Sequence, residues 1–253
     1  MQPGSYAPYP NPRPREIDFG VIAESYKIIM ANLWPFVAGS LMLGVIYGMF
    51  EAGMFFAIFA LLGAPPTDQT DTAALMNYAM REYAIIIPSS LIYTALIAPV
   101  CLSFTHMGLK CIRGQKAEVG DLAFGFSRWG QAFVLVIGHQ IASMLGVIAC
   151  FVGSYWVGGR LMLGLAAQAD KGGSPMDNFR ESWDLTGPHM WMAMLFWFVI
   201  ALVAGMGVLA CCVGILVTVP MLFVCTALIY RDLTGMHDVQ PPSEFAEYPT
   251  QPQ

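Results

Sequence analysis

Long apolar segments alternate with short polar ones along this chain of 253 residues. The four apolar segments are 34–62, 83–109, 132–167 and 191–230. Because a membrane-spanning helix needs about 20 mostly apolar residues, the first two segments match one span each and the last two match two spans each. We divide the third segment near Val152 and the fourth near Cys211-Cys212. The pattern therefore predicts an all-α, polytopic membrane bundle of six transmembrane helices in three hairpins.

An amphipathic segment precedes each predicted hairpin. In segment 18–32, Phe19, Ile22, Tyr26 and Ile29 recur at helical spacing, which is typical of a helix lying in the membrane interface. Segment 175–188 carries a related motif at the same distance from its own hairpin, and the looser segment 121–126 precedes the middle one. The matched motifs are Glu24-Ser25-Tyr26 before Asn32-Leu33-Trp34, and Glu181-Ser182-Trp183 before His189-Met190-Trp191. The sequence thus predicts an internal threefold repeat.

Positively charged residues favour one orientation of the six spans. Ten of the 12 Lys and Arg residues fall on one side of the predicted bundle: Arg13, Arg15, Lys27, Lys110, Arg113, Lys116, Arg128, Lys171, Arg180 and Arg231. Arg81 falls on the opposite side, and Arg160 falls within a span. The side enriched in Lys and Arg is cytoplasmic in multi-pass proteins. We therefore expect a protein of the cell membrane with both termini in the cytoplasm.

Both ends of the chain are rich in proline. Residues 1–16 contain five of the 17 prolines, and the last 14 residues contain four more. Such a density removes helix donors and favours extended conformations. We expect disordered tails at 1–16 and 236–253 around a membrane domain of residues 17–235.

The composition excludes several classes of protein. Hydrophobic residues make up 57% of the chain and charged residues 11%, so a soluble domain could not cover its apolar surface. The net charge of −5 argues against nucleic-acid binding. The six cysteines form no CxxC pair, and the sequence has no phosphate-binding loop, GxSxG or HExxH motif. We expect no metal, no cofactor and no enzymatic activity, with the lipid bilayer as the first partner.

Four residues within the predicted spans form a candidate intramembrane polar site: Glu51, Arg160, His139 and Gln140. An ionisable group inside a bilayer costs about 2.5–3.5 kcal/mol on insertion scales, so it is a functional candidate. Counting along the helices puts Glu51 and Arg160 in the outer half of the bilayer, as an ion pair between two hairpins or as a site for a charged solute. His139 lies near the midplane beside Gln140, where it forms an interhelical hydrogen bond or part of a proton pathway.

Small residues mark predicted contacts between helices. Gly44 and Gly48 form a GxxxG motif in the first span, and Gly158 and Gly159 are adjacent in the fourth. Such residues let another backbone approach closely. We therefore expect a neighbouring helix against each pair.

Several segments resemble a group of bacterial six-helix membrane proteins. They are DFGVIAESYKIIMANLWPF at the start, GQKAEVGDLAFGF in the middle, RESWDLTGPHMW from Arg180, and ALIYRDLTG from Ala227 to Gly235. The group is similar to the membrane domain attached to some glycerophosphoryl diester phosphodiesterases. The resemblance implies a six-helix membrane fold, and no phosphodiesterase activity is carried over because the soluble catalytic barrel is absent from these segments.

Two functions follow as hypotheses. The first is a non-catalytic membrane module that organises or assists an envelope or lipid-linked protein partner. The second is a small-solute transporter or channel that uses Glu51, Arg160 and His139. A parallel repeat disfavours the second hypothesis, since many transporters are built from inverted repeats.

Overall fold

The computed structural model describes residues 16–66, 68, 70–149, 151–209 and 214–236. The predicted tails lie outside the described residues except at Glu16 and Met236, and so do Cys211 and Cys212 at the predicted turn. Within the described ranges the chain is all-helical and contains no strand. Its α-helices are α1 (Gly20–Ala31), α2 (Leu33–Leu62), α3 (Thr72–Ile112), α4 (Ala123–Ser127), α5 (Trp129–Ala149), α6 (Phe151–Leu161), α7 (Gly164–Asp170), α8 (Pro175–Thr186), α9 (Met190–Leu209) and α10 (Ile215–Thr234).

Five helical segments of the described chain are long and apolar enough to cross a membrane. They are Leu33–Leu62, Thr72–Ile112, Trp129–Val147, Pro175–Gly207 and Ile215–Thr234. The predicted fourth span is not a single long helix. α6 has only 11 residues and extends about 16 Å at 1.5 Å per residue, about half the thickness of a bilayer core. Met162 and Leu163 interrupt the helix, which then continues as α7.

Helix α3 is longer than the sequence pattern indicated. Residues 63–82 separate the first two apolar segments, a position that predicts a loop, but the helix already begins at Thr72, where Asp71 Oδ1 accepts a hydrogen bond from the Ala74 N–H at 3.0 Å. The helix has 41 residues and extends about 60 Å, twice the thickness of a bilayer core. It runs through Pro88 and Pro99 without ending.

The two motif-bearing segments fold as α1 and α8, and both pack onto other helices. α1 lies against α10, while α8 lies against α6 and α7. Their buried residues occupy equivalent positions of the two motifs: Val21, Ser25 and Ile29 in α1, and Asn178, Ser182 and Thr186 in α8. The buried faces of both helices are therefore partly polar and contact protein.

The core lies towards one end of the bundle. Buried residues concentrate in the C-terminal third of α3, in α7 and in the second half of α10, around Phe104, Leu163 and Tyr230. The distal part of α2 and the start of α3 instead expose large apolar side chains such as Phe56 and Met80, at 69% each. Such exposed apolar surface is what a surrounding bilayer would cover.

The glycine pairs differ in their surroundings. A Cβ added at Gly159 would collide with the backbone carbonyl of Ala193, and one at Gly158 would meet the Trp197 ring, so α6 and α9 approach closely there. A Cβ added at Gly44 or Gly48 would have no described atom within 4 Å. The expected contact at GxxxG is therefore wrong within the part of the chain that the structure describes, because no described helix packs on that face of α2.

Candidate functional site

The interruption between α6 and α7 is held by side chains of α8. Ser182 Oγ donates a hydrogen bond to the Arg160 carbonyl at 2.8 Å and accepts one from the Leu163 N–H at 3.1 Å. Thr186 Oγ1 lies 3.2 Å from the same carbonyl. Since Ser182 and Thr186 are fully buried, water cannot replace them. The surface helix thus supplies the hydrogen bonds that the broken helix lacks.

The guanidinium of Arg160 is part of this contact. Its Cζ lies 4.2 Å from the centre of the Trp183 ring, a cation–π geometry, and the residue is 6% exposed. Its Nε is buried and has no hydrogen-bond partner among the described residues. Arg160 therefore lies against α8, one residue before α6 ends at Leu161.

Glu51 lies elsewhere. It is exposed on α2, about 27 Å along the helix from Leu33 at 1.5 Å per residue, and its electrostatic neighbour is Tyr93. Within the described ranges no ion pair joins Glu51 to Arg160. The hypothesis that these two residues form one site therefore has no ion pair of the described chain to support it and stays a prediction.

His139 and Gln140 contact different helices. The imidazole of His139 lies within hydrogen-bond reach of the Leu161 carbonyl, at the end of α6, and its ring centre is 5.2 Å from that of Trp197. Gln140 Oε1 accepts a hydrogen bond from Thr94 Oγ1 of α3 at 2.8 Å. The two neighbours in sequence therefore take part in separate interhelical contacts.

An apolar cavity of about 240 Å³ lies beside the helix interruption. His139 lines it together with apolar side chains that include Leu135, Phe179 and Phe223. No Asp, Glu, Lys or Arg of the described chain is among its lining residues. The cavity therefore offers little to stabilise a charged solute.

Sequence reasoning missed a group of charged residues around Tyr230, which we call the Tyr230 network. It consists of Arg113, Asp170, Lys171, Glu181 and Tyr230. Tyr230 Oη lies 3.0 Å from Glu181 Oε1 and 3.3 Å from Asp170 Oδ2. Lys171 Nζ lies 2.6 Å from the same Glu181 oxygen, and Arg113 pairs with Asp170. The network joins α3, α7, α8 and α10.

The glutamates of the two repeated motifs both pair with basic residues: Glu181 belongs to the Tyr230 network, and Glu24 contacts Arg231, the residue after Tyr230. Glu24 forms a bidentate ion pair with Arg231, whose Nη2 lies 3.1 Å from Glu24 Oε2. Arg231 is 7% exposed and also donates to Asp232 at 2.8 Å. The sequence could have indicated these contacts, because each motif glutamate directly precedes a serine that is buried in the structure.

Each residue of the candidate intramembrane polar site has its own set of neighbours. Arg160 contacts α8, His139 faces the end of α6, Gln140 bonds to α3, and Glu51 is exposed on α2. The described chain also has no group of three or more His, Cys, Asp or Glu residues placed to hold a metal ion.

Comparison with protein-family models, with curated proteins and with solved structures finds no match for this chain.

Proposed function

We propose that this chain is an integral membrane protein with six spans in three hairpins and with both termini in the cytoplasm. Five spans correspond to the five long apolar helices. The sixth comprises α6 and α7, which run from Phe151 to Asp170 with one interruption. The distribution of Lys and Arg supports the orientation.

The three hairpins belong to repeated units, each with a surface helix first. Two features support this repeat. α1 and α8 bury equivalent motif positions, and α2 and α9 begin at Leu33 and Met190, each eight residues after the buried serine of the preceding motif, Ser25 or Ser182. In the middle unit, the short α4 precedes α5 in the same order.

The function that this geometry supports best is a non-catalytic membrane module that organises or assists an envelope or lipid-linked partner. The observation that carries this proposal is that, among the described residues, no hydrogen bond or ion pair joins Glu51, Arg160, His139 and Gln140 to one another. A site for transport or catalysis needs such groups to converge on a substrate. The surface helices, in contrast, keep exposed faces that a partner can reach.

Site-specific photo-crosslinking in native membranes tests the proposal. A photoreactive residue replaces Met176 on α8, which is 65% exposed, or Tyr26 on α1, which is 50% exposed. The matched control is Met76, which is 67% exposed near the start of α3. We expect discrete protein adducts from the two surface helices and none from Met76. Lipid adducts alone at all three positions would contradict the proposal.

One observation favours the transporter alternative. Discontinuous helices near the midplane are common in transporters, and the α6–α7 interruption lies beside the cavity that His139 lines. Ser182 and Thr186 already satisfy its backbone groups, which argues against a ligand there. Vesicles that contain the protein should show no more flux of ions or small solutes than empty vesicles. Flux that His139→Ala abolishes would support transport.

A further inference from the structure

A second, polar cavity lies between the start of α5 and the loop that follows α7. Its volume is about 460 Å³. The residues that line it are Ser127, Arg128, Trp129, Gly130, Gln131, Lys171, Gly172 and Gly173. Two of these residues are basic and none is acidic. Because Arg128 and Lys171 are far apart in sequence, neither loop alone indicates a cationic site.

Arg128 is held in place without a carboxylate. Its Nη1 donates to the Gln168 carbonyl at 3.2 Å, and its Cζ lies 4.8 Å from the centre of the Phe124 ring. In the described chain it takes part in no ion pair within 4.0 Å. The bond to Gln168 uses one of the five N–H donors of the guanidinium, a group whose planar geometry suits phosphate.

Side-chain amides behind the cavity hold two of its lining residues, Gln131 and Gly172, in place. Gln168 is fully buried and donates to Gln131 Oε1 at 3.0 Å, while its own Oε1 accepts from Asn178 Nδ2 at 2.7 Å. Asn178 also donates to the Gly172 carbonyl at 3.2 Å. These bonds fix the loop against α5 and leave the Arg128 guanidinium beside Gly172, where a Cβ would approach Nη1 to 3.1 Å.

Two further features raise the positive potential of the cavity. The N–H groups of Trp129, Gly130 and Gln131 belong to the first turn of the 21-residue helix α5, where intrahelical acceptors are missing. Lys171 adds a second positive charge, although Glu181 Oε1 lies 2.6 Å from its Nζ and offsets part of it. The uncompensated charge in the cavity is therefore that of Arg128.

We propose that this cavity binds a phosphate group, and that the group belongs to an anionic phospholipid of the inner leaflet. Both wall segments lie on the predicted cytoplasmic side, and Trp129, which is 49% exposed, has the amphipathic ring typical of the headgroup region. The volume exceeds that of a phosphate alone and leaves room for the rest of a headgroup. The proposal depends on the orientation of the spans but not on a protein partner.

Native mass spectrometry of the full chain in detergent tests the proposal, with phosphatidylglycerol titrated against phosphatidylcholine. We expect one saturable phosphatidylglycerol site. Arg128→Gln should weaken it about tenfold, since a charge-assisted hydrogen bond contributes about that factor. Lys116→Gln removes an exposed positive charge from the same side but outside the cavity, and should leave binding unchanged.

A second pair of variants separates binding from folding. A Cβ at Gly130 meets no described atom within 4 Å, so Gly130→Asp and Gly130→Asn both fit. A carboxylate in the first turn of a helix favours the helix, so Gly130→Asp should keep thermal stability. It should nevertheless repel the phosphate and abolish saturable binding, whereas Gly130→Asn should retain most of it.

Three outcomes would overturn the proposal. Equal binding by wild type, Arg128→Gln and Gly130→Asp would show that the cavity takes no phosphate. Equal weakening by Lys116→Gln would show that the attraction is diffuse. Displacement of phosphatidylglycerol by millimolar inorganic phosphate, with the same dependence on Arg128, would assign the site to a soluble anion and refute the lipid.

Discussion

Ser182→Ala tests whether α8 holds α6 and α7 together across the interruption between them. The substitution removes the hydroxyl that bonds to both sides of the interruption, at the Arg160 carbonyl and at the Leu163 N–H. Ser182 is fully buried, so water does not enter to replace it. The Leu163 N–H then loses its partner. Thr186 Oγ1 lies 2.7 Å from the Ser182 carbonyl and 3.2 Å from the Arg160 carbonyl, so its single proton can turn to the Arg160 carbonyl only by leaving the closer one.

The expected loss follows from these two bonds. A buried donor left without a partner costs about 1–3 kcal/mol. Because the Thr186 hydroxyl can donate to only one of the two carbonyls, we expect the unfolding free energy to fall by about 2 kcal/mol. For a chain of this size that corresponds to a decrease in Tm of about 4–8 °C.

Ser25→Ala is the matched control, since Ser25 occupies the equivalent position in α1. Its hydroxyl donates to Ile22 within the same helix at 2.8 Å and accepts only a weak bond from the Cys225 thiol, at 3.1 Å. We expect a loss of about 0.5 kcal/mol. Thermal unfolding of the purified protein in one detergent compares the two variants. Equal losses, or a larger loss for Ser25→Ala, would refute the reasoning about the interruption.

Two further predictions concern the packing of the bundle. Glu24→Gln should lower the unfolding free energy by about 2 kcal/mol, because it leaves the buried Arg231 without this partner. A double-mutant cycle with Arg231→Gln should give a coupling free energy of at least about 1 kcal/mol, and additive losses would contradict the ion pair. Gly159→Ala should lower the unfolding free energy by about 2 kcal/mol or more, because the added Cβ collides with the Ala193 carbonyl. Gly44→Ala places its Cβ on an open face of α2 and should change the unfolding free energy by less than about 0.5 kcal/mol in the same assay.

Much of the fold could be predicted from periodicity. The all-helical architecture, the long apolar helices and the helices at both motifs follow from the spacing of apolar residues. The length of α3 was missed because polar residues between Thr72 and Glu82 were assigned to a loop, although Asp71 is a good helix cap. The interruption at Met162 was missed because these residues are as apolar as a continuous span.

The candidate site was harder to predict, because depth along a helix does not indicate which neighbour a side chain meets. Counting residues placed Arg160 near Glu51 in depth, but α6 ends at Leu161 and α8 packs against it. The cavity at Arg128 depends on two loops that are distant in sequence. Only tertiary packing brings such residues together.

Cysteine accessibility at Val152 tests the six-span arrangement most directly, because it reports whether the α5–α6 hairpin crosses the membrane. Single cysteines are introduced in a background without native cysteine and labelled in intact cells and in inverted vesicles with an impermeant maleimide. Asp68→Cys and Ser174→Cys mark the outer and inner sides. We predict that Val152→Cys, which replaces a side chain 54% exposed, is labelled only from the outside, as Asp68→Cys is. Labelling only from the inside, as for Ser174→Cys, would contradict the account.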